Sequence, residues 1–333
     1  MDTPPRVSTP IILIFALIIP ILFGGSGFFF GRAIMGKGPL AETTAVIIEP
    51  GAGVKGTAAA LQASGIIKYE WLFPVAVAMT GNKSKLQAGE YEFAPQISMF
   101  NVISKMARGE VLARKITVTE GLTSKQIVSL LNENEFLTGE IMQIPPEGSL
   151  MPDTYNFTRN DSREKLIARM ESAMLAFTNS EWAKRAPEYP LQTVQEWVTL
   201  ASIVEAETPK PEERPRVAGV YLNRLAQNMR LEADPTVAYG MNDGAGKLDK
   251  PLTFKDLQTP SAFNTYTNDG LPPSPINNPS RASLTAALNP EAHEFLFFVA
   301  DGTGGHKFGK NYSEHQKNVA EWRRINKAAS KKN

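Results

Sequence analysis

Two glutamates close the run Val194-Gln-Glu-Trp-Val-Thr-Leu-Ala-Ser-Ile-Val-Glu-Ala-Glu207. Thr193-x-x-Glu196 is a capping box, so a helix is expected to open at Val194. Pro209 disfavours helical geometry at Thr208, so the same helix is expected to stop there. Val194, Trp197, Val198, Leu200, Ala201, Ile203 and Val204 wrap most of its circumference, the pattern of a buried helix. Glu205 continues the Val194/Val198/Ala201 stripe, and Glu207 continues the Leu200/Ile203/Val204 stripe. Residues at this spacing are rotated by about 200°, so the two carboxyls cannot point at one target. The negative end of the helix dipole and desolvation both disfavour an ionised carboxylate there. A carboxyl held neutral near pH 7 is what a general acid requires. The residues leave a second reading open, in which both are solvated last-turn glutamates or partners of Arg214 and Arg216.

Around that helix, a second one is expected from Glu212 through Val217, Val220 and Tyr221 to Leu225, with Asn223 on its inner face. A loop-rich stretch follows, from Ala233-Asp-Pro-Thr-Val-Ala-Tyr-Gly240 through Phe263-Asn-Thr-Tyr266 to Gly270-Leu-Pro-Pro-Ser-Pro-Ile-Asn-Asn-Pro279. Long ordered loops of this kind are often functional. Their Asn, Thr and aromatic side chains suit a carbohydrate groove; an ordinary irregular loop is the alternative. Pro279 to Leu288 reads as a helix and Phe295 to Ala300 as a buried strand. Asp301-Gly-Thr-Gly-Gly305 turns the chain into a partner strand at His306. Ser313-x-x-Gln316 reads as the capping box of a last helix.

Composition removes several classes. The 333 residues suffice for about two domains. With 42% hydrophobic and 21% charged residues, a sizeable core is available and wholesale disorder is excluded. The net charge of +1 carries no clustered basic footprint, which argues against nucleic acid as a partner. The absence of Cys excludes disulfides, thiol catalysis and Cys-ligated zinc. His293, His306 and His315 form no H-E-x-x-H, and the chain has no G-x-S-x-G elbow and no P-loop.

Toward the N-terminus, no charge occurs between Val7 and Gly31, and the apolar run is long enough for a membrane span. The expectation is a cytoplasmic tail over 1–10 and a single transmembrane helix over 11–31. Arg6 lies on one side of it, Arg32 and Lys37 on the other. The positive-inside count opposes an external C-terminal domain, but large domains translocate largely regardless of charge. Two similar segments follow a linker: Val46-Ile-Ile-Glu-Pro-Gly51 and Ile116-Thr-Val-Thr-Glu-Gly121, each leading into an amphipathic helix. Each is succeeded by a strand ending in Tyr-x-Phe, at Tyr91/Phe93 and Tyr155/Phe157, with both rings on one face. They read as core of two small α+β units, or as part of a βααβ glycan-binding module. Glu164 to Phe177 reads as a connecting amphipathic helix.

The chain resembles the endolytic murein transglycosylases, the membrane-bound lytic transglycosylases of type G. The resemblance is carried by Leu200-Ala-Ser-Ile-Val-Glu-Ala-Glu-Thr208, Val217-Ala-Gly-Val-Tyr-Leu-Asn-Arg-Leu225 and Met229-Arg-Leu-Glu-Ala-Asp-Pro-Thr-Val-Ala-Tyr-Gly240. Asn264-Thr-Tyr266, Gly270-Leu-Pro-Pro273, Phe298-Val-Ala-Asp-Gly-Thr-Gly-Gly-His306 and Leu150-Met-Pro-Asp-Thr-Tyr-Asn-Phe157 add to it. It implies an α+β protein with one N-terminal transmembrane helix, a LysM-like glycan-binding module over 46–115 and a catalytic domain over 116–333. It implies cleavage of the MurNAc–GlcNAc bond within nascent strands, giving 1,6-anhydro ends without metal or cofactor. The family's catalytic glutamate falls on Glu207, with Glu205 as the alternative register; Ala206 stands where the family often has Lys. Asn223, Asp234, Thr236, Asn264, Tyr266 and His306 are the expected glycan contacts. Location in the bacterial inner membrane with an external catalytic domain, and coordination with peptidoglycan synthases, are further expectations. A muramidase, or a tethered scaffold without activity, would share much of this sequence.

Overall fold

The computed structural model describes residues 29–246 and 248–329. The chain divides into two compact units, Met1–Arg114 and Lys115–Asn333.

In unit 1, strand β1 (Thr44–Ile48) leads to helices α1 (Gly53–Ala63) and α2 (Leu72–Met79), then strand β2 (Gly89–Phe93) and helix α3 (Met99–Ala107). β1 and β2 pair antiparallel, with Val46 opposite Tyr91. The period-two pattern puts Tyr91 and Phe93 inward. Their rings stack at 5.9 Å, fully buried with Leu61, Phe73, Ile103 and Met106. These rings are therefore core and do not offer a face to a glycan.

The expectation of a transmembrane helix over 11–31 is corrected here. Residues 1–28, which include the expected tail and most of that segment, lie outside the described residues. The helical turns that are described run over 29–35. Among the described residues, no helix is long and apolar enough to cross a membrane. The fold described is α+β without that element.

Unit 2 opens with β3 (Arg114–Thr117), α4 (Ser124–Asn132), β4 (Leu137–Thr138), β5 (Thr154–Phe157) and β6 (Asp161–Ser162). β3 pairs with β5, and β4 runs parallel to β6. Tyr155 and Phe157 enter a core with Ile127, Leu131 and Met170. The long helix α5 (Arg163–Trp182) then leads to α6 (Val194–Glu207). The Thr193 capping box is formed: Thr193 Oγ1 accepts from the Glu196 amide at 3.1 Å, and Glu196 Oε2 accepts from the Thr193 amide at 2.9 Å. Thr208 is extended (φ −136°, ψ 126°), as the following Pro209 demands.

Helix α7 (Arg214–Ala226) follows a short 3-10 turn at Pro211–Glu213. Next come α8 (Asp234–Asn242), α9 (Phe254–Leu257), α10 (Arg281–Leu288), the antiparallel hairpin β7 (Phe297–Ala300) and β8 (His306–Gly309), and α11 (Tyr312–Ala329). Two local readings differ from the sequence expectation. The stretch at 234–242, expected as loop, is helical, because Pro235 occupies the first turn, where no donor is needed. The cap of α11 is Asn311 with Glu314, not Ser313 with Gln316: Asn311 Oδ1 accepts from the Glu314 amide at 3.0 Å.

The core of unit 2 is built on α6. Trp197 is fully buried, stacks on Trp182 at 5.8 Å and donates from Nε1 to the Leu284 carbonyl at 2.8 Å. The Pro-rich 270–280 segment is irregular but knitted down. Ser202 Oγ accepts from the Ile276 amide at 3.1 Å, and Asn277 donates to the Ser202 carbonyl at 2.8 Å. Asn278, with no exposure, accepts from the Leu150 amide at 2.9 Å and donates to the Leu122 carbonyl and Ser124 Oγ, both at 3.1 Å. Asn278→Ala strips the buried Leu150 amide of its acceptor, and such an orphan costs about 1–3 kcal/mol. A urea titration should show a lower midpoint with an unchanged slope.

Candidate active site

Helix α6 delivers its two carboxylates to opposite sides of its C-terminal end, and the structure treats them differently. Glu205 is enclosed in charge-assisted bonds. Its Oε1 accepts from Arg214 Nη2 at 3.0 Å, and both side chains are almost wholly buried (6% and 7% exposed). Its Oε2 accepts from the Ser280 amide at 2.8 Å and from Ser280 Oγ at 2.5 Å. Arg214 also donates to Ser280 Oγ at 3.2 Å. Both carboxyl oxygens are thus occupied by donors.

Among the described residues, no cation pairs with Glu207, and the side-chain hydrogen bond at its carboxyl comes from Tyr221 on α7, Oη to Oε1 at 2.7 Å. Burial pushes the carboxyl up to about 7; the Tyr221 hydrogen bond pulls it back, and the charge of Asp234 pushes it further up. The Tyr221 hydroxyl is itself held well above its usual range by burial and by Glu207. The result is a carboxyl that changes protonation state near neutrality at the end of a rigid, buried helix.

A second hydrogen-bonded pair stands beside it. Tyr266 Oη donates to Asp234 Oδ1 at 2.7 Å, where Asp234 is the first residue of α8. Behind Tyr221, a run of rings leads to the hairpin: Phe298 meets Tyr221 edge-on at 5.9 Å, and His306 meets Phe298 edge-on at 5.2 Å. His306 Nδ1 lies 2.7 Å from Glu213 Oε2, and its amide donates to Glu213 Oε1 at 3.0 Å. Burial opposes ionisation of Glu213, but the two His306 bonds outweigh it and hold the carboxyl below its usual value. Thr208, next in chain to Glu207, donates from Oγ1 to Glu213 Oε2 at 3.4 Å.

The expected glycan contacts thus divide. Asp234 is exposed, and Tyr266 and His306 are half-buried around the α6 terminus. Asn223 instead donates to the His293 and Phe295 carbonyls at 2.8 and 3.1 Å. Thr236 is buried against Thr265 Oγ1 at 2.8 Å, and Asn264 is buried with its amide on the Leu257 and Thr259 carbonyls at 3.1 and 2.7 Å. These three brace the segments around the terminus. Two participants were not legible as such: Tyr221 read only as part of the helix from Glu212 to Leu225, and Glu213 was not singled out. Neither carries a sequence signal, because each partner lies on another element.

The profile of the YceG-like family matches residues 46–321. The chain belongs to the YceG-like family. This YceG-like chain is 31% identical over 328 residues to an endolytic murein transglycosylase of Bacillus subtilis, covering 88% of this chain and 89% of that protein. It is 27% identical over 322 residues to an endolytic murein transglycosylase of Streptococcus pneumoniae strain D39, covering 82% of this chain. It spans 57% of the length of that pneumococcal relative. A solved structure of a yceG-like protein from Listeria monocytogenes superposes with a TM-score of 0.53 at 30% identity, over 83% of this chain and 98% of that one.

The two glutamates should separate in stability measurements. Glu205→Ala removes the buried partner of Arg214 and leaves it a long 3.8 Å contact with the exposed Glu120 carboxylate, a loss of up to about 3–5 kcal/mol. Glu207 has a folded-state pKa above its unfolded value, so its contribution is full below about pH 4.3, the unfolded value, and is lost as pH rises through about 7. Glu207→Gln should therefore raise the melting temperature at pH 8 and leave it nearly unchanged at pH 4, read by calorimetry.

Proposed function

We propose that this chain is an endolytic murein lytic transglycosylase with Glu207 as its single acid and base. The observation that carries the reading is the contrast at the α6 terminus. Glu205 is paired with Arg214, whereas among the described residues Glu207 meets no cation and burial pushes its carboxyl up to about 7. A family that includes a murein transglycosylase at 31% identity over most of both chains supports the substrate.

In this reading the protonated Glu207 donates to the glycosidic oxygen between MurNAc and GlcNAc. The C1–O bond breaks, GlcNAc leaves with the proton, and the muramyl acetamido group stabilises the oxocarbenium. Glu207, now a carboxylate, takes the proton from the muramyl 6-hydroxyl as that oxygen closes on C1. The acid is regenerated, no water enters, and a 1,6-anhydro end forms. Attack within one sugar has a high effective molarity, which removes the need for a second carboxylate. Tyr221 holds the carboxyl in one rotamer. Asp234, Tyr266 and His306 are the proposed glycan contacts, while Asn223, Thr236 and Asn264 hold their supporting segments.

The βααβ order of unit 1 supports a LysM-like glycan-binding role for 46–115, with the buried Tyr91 and Phe93 as its core. A murein substrate puts the enzyme on the extracytoplasmic side, where peptidoglycan synthases are the expected partners.

Digestion of purified glycan strands, read by mass spectrometry, tests the reaction. Wild type should release anhydro-ended fragments, and Glu207→Gln should lower the rate by a factor of about 10² to 10⁴. Reducing ends would make the enzyme a muramidase, and strand binding without cleavage would make it a scaffold. The pH profile provides a separate check. The acid form is required, so activity should fall as pH rises through about 7. Tyr221→Phe removes a donor that stabilises the carboxylate, so its falling limb should move to higher pH. A limb moved to lower pH would contradict the assignment.

A further inference from the structure

Unit 2 contains a cleft of about 1000 Å³ that the chemistry at Glu207 does not use. It lies at the other end of α6, where Val194 and Val198 form part of its wall. Met174 and Leu175 of α5 stand in the same cleft, as do the 144–149 loop, Pro275 and Tyr239 of α8. Ile144 and Leu175, both lining it, are more than half exposed. An apolar cleft with a few convergent polar groups is the usual form of a ligand site.

Polar side chains line it too, among them Ser172, Thr178, Gln195 and Ser274, and the loop of Glu147 and Ser149 lies against the end of α6. Between them, Gly148 has a φ of 77°, and a Cβ there would stand 2.8 Å from Val198 and 2.7 Å from Pro275. Only glycine lets the loop lie against the wall in this way. Glu147 Oε2 accepts from the Ser124 amide at 2.9 Å and from Asn278 at 3.4 Å, whereas Oε1 has only a long 3.5 Å contact from Tyr239. The Ser149 hydroxyl, buried in the cleft wall, has no hydrogen-bond partner. Unpaired buried groups are uncommon and call for an explanation.

The charges select the ligand. Lys125 of α4 is paired with Asp243 at the end of α8, at 3.5 Å. This leaves Glu147, with Glu171 of α5 on the same cleft, as the net charge facing the space. Tyr239 leans on Phe263 at 4.7 Å with the ring planes tilted by 56°, and the apolar parts of the wall are aliphatic and proline: Ile144, Met174, Leu175, Val198 and Pro275. They suit methyl groups better than the faces of sugars. We propose that this cleft binds a short peptide with small apolar side chains and a free side-chain ammonium, the ammonium on Glu147 Oε1. Resting on the transglycosylase reading for its source, that peptide is the stem carried by the muramyl residues of murein.

Burial pushes the Glu147 carboxyl up to about 7, with Asp243 adding to it and the Ser124 and Tyr239 bonds opposing. The ammonium needs the carboxylate, so affinity should rise from pH 6 to pH 8, while the lysine stays protonated. The test is calorimetric titration of the full chain with the pentapeptide L-Ala–D-Glu–L-Lys–D-Ala–D-Ala and with its ε-acetylated form. Saturable binding is expected, weakened about tenfold by acetylation and by Glu147→Gln, since a bond to a charged group is lost. The exposed Leu175→Arg, which crowds the cleft and repels the ammonium without touching the core, should weaken it as much. The pH dependence should vanish in Glu147→Gln. Absence of saturable binding, indifference to acetylation, or full affinity in Leu175→Arg would overturn the assignment. Peptide binding without any anhydro product would defeat the proposed reaction and leave the cleft standing. Strand cleavage without peptide binding would do the reverse.

Discussion

The buried ion pair between Glu205 and Arg214 is the constraint on which unit 2 is organised. Two charges this deeply buried are tolerated only when paired and hydrogen-bonded, so their partners have little freedom to move. Arg214 begins α7, Glu205 ends α6 and Ser280 caps α10, and all three meet in one cluster. The cluster fixes how α7 crosses the end of α6. Tyr221 lies about two helical turns after Arg214 on the same face of α7, and so is carried to the opposite side of the α6 terminus. There it meets Glu207 at 2.7 Å. The satisfied glutamate thus positions the surroundings of the unsatisfied one.

That arrangement assigns different physics to residues of the same type. Glu205 exchanges water for a guanidinium, an amide and a hydroxyl. Glu207 exchanges water for a single phenol and a carboxylate neighbour, and its neutral form gains. Burial moves Glu147 in the same direction elsewhere in the unit, although its Oε2 accepts from the Ser124 amide and Asn278 and Tyr239 reaches its Oε1 only at 3.5 Å. Pairs of carboxyls whose environments drive them apart are how one fold assigns structural and reactive roles.

Much of the scaffold was legible because its signals are local. The Thr193 box, the Pro209 stop and the all-round apolar surface of α6 each depend on residues within a few positions, and each is found as expected. The Tyr-x-Phe strands showed by their spacing that both rings share a face, although not whether that face is core. Errors arose where two local signals competed. Pro235 and the nearby glycines read as loop, but proline in a first helical turn costs nothing. Ser313 read as the cap of the last helix, but Asn311, the residue before its first turn, takes that place. The hydrophobic N-terminal run read as a spanning helix, and no such helix occurs among the described residues.

The sequence by itself determined that a buried helix ends in two carboxyls on opposite sides, because helical rotation and apolar periodicity are properties of the chain alone. It left open which carboxyl is neutral, since that depends on what approaches from α7, α8 and α10. Arg214 and Tyr221 are both a short way along the chain, and nothing in their order says that one reaches Glu205 and the other Glu207. Only the tertiary structure decided it. A carboxyl's proton affinity is set by the dielectric and the charges around it, and those are supplied by residues far apart in sequence and close in space.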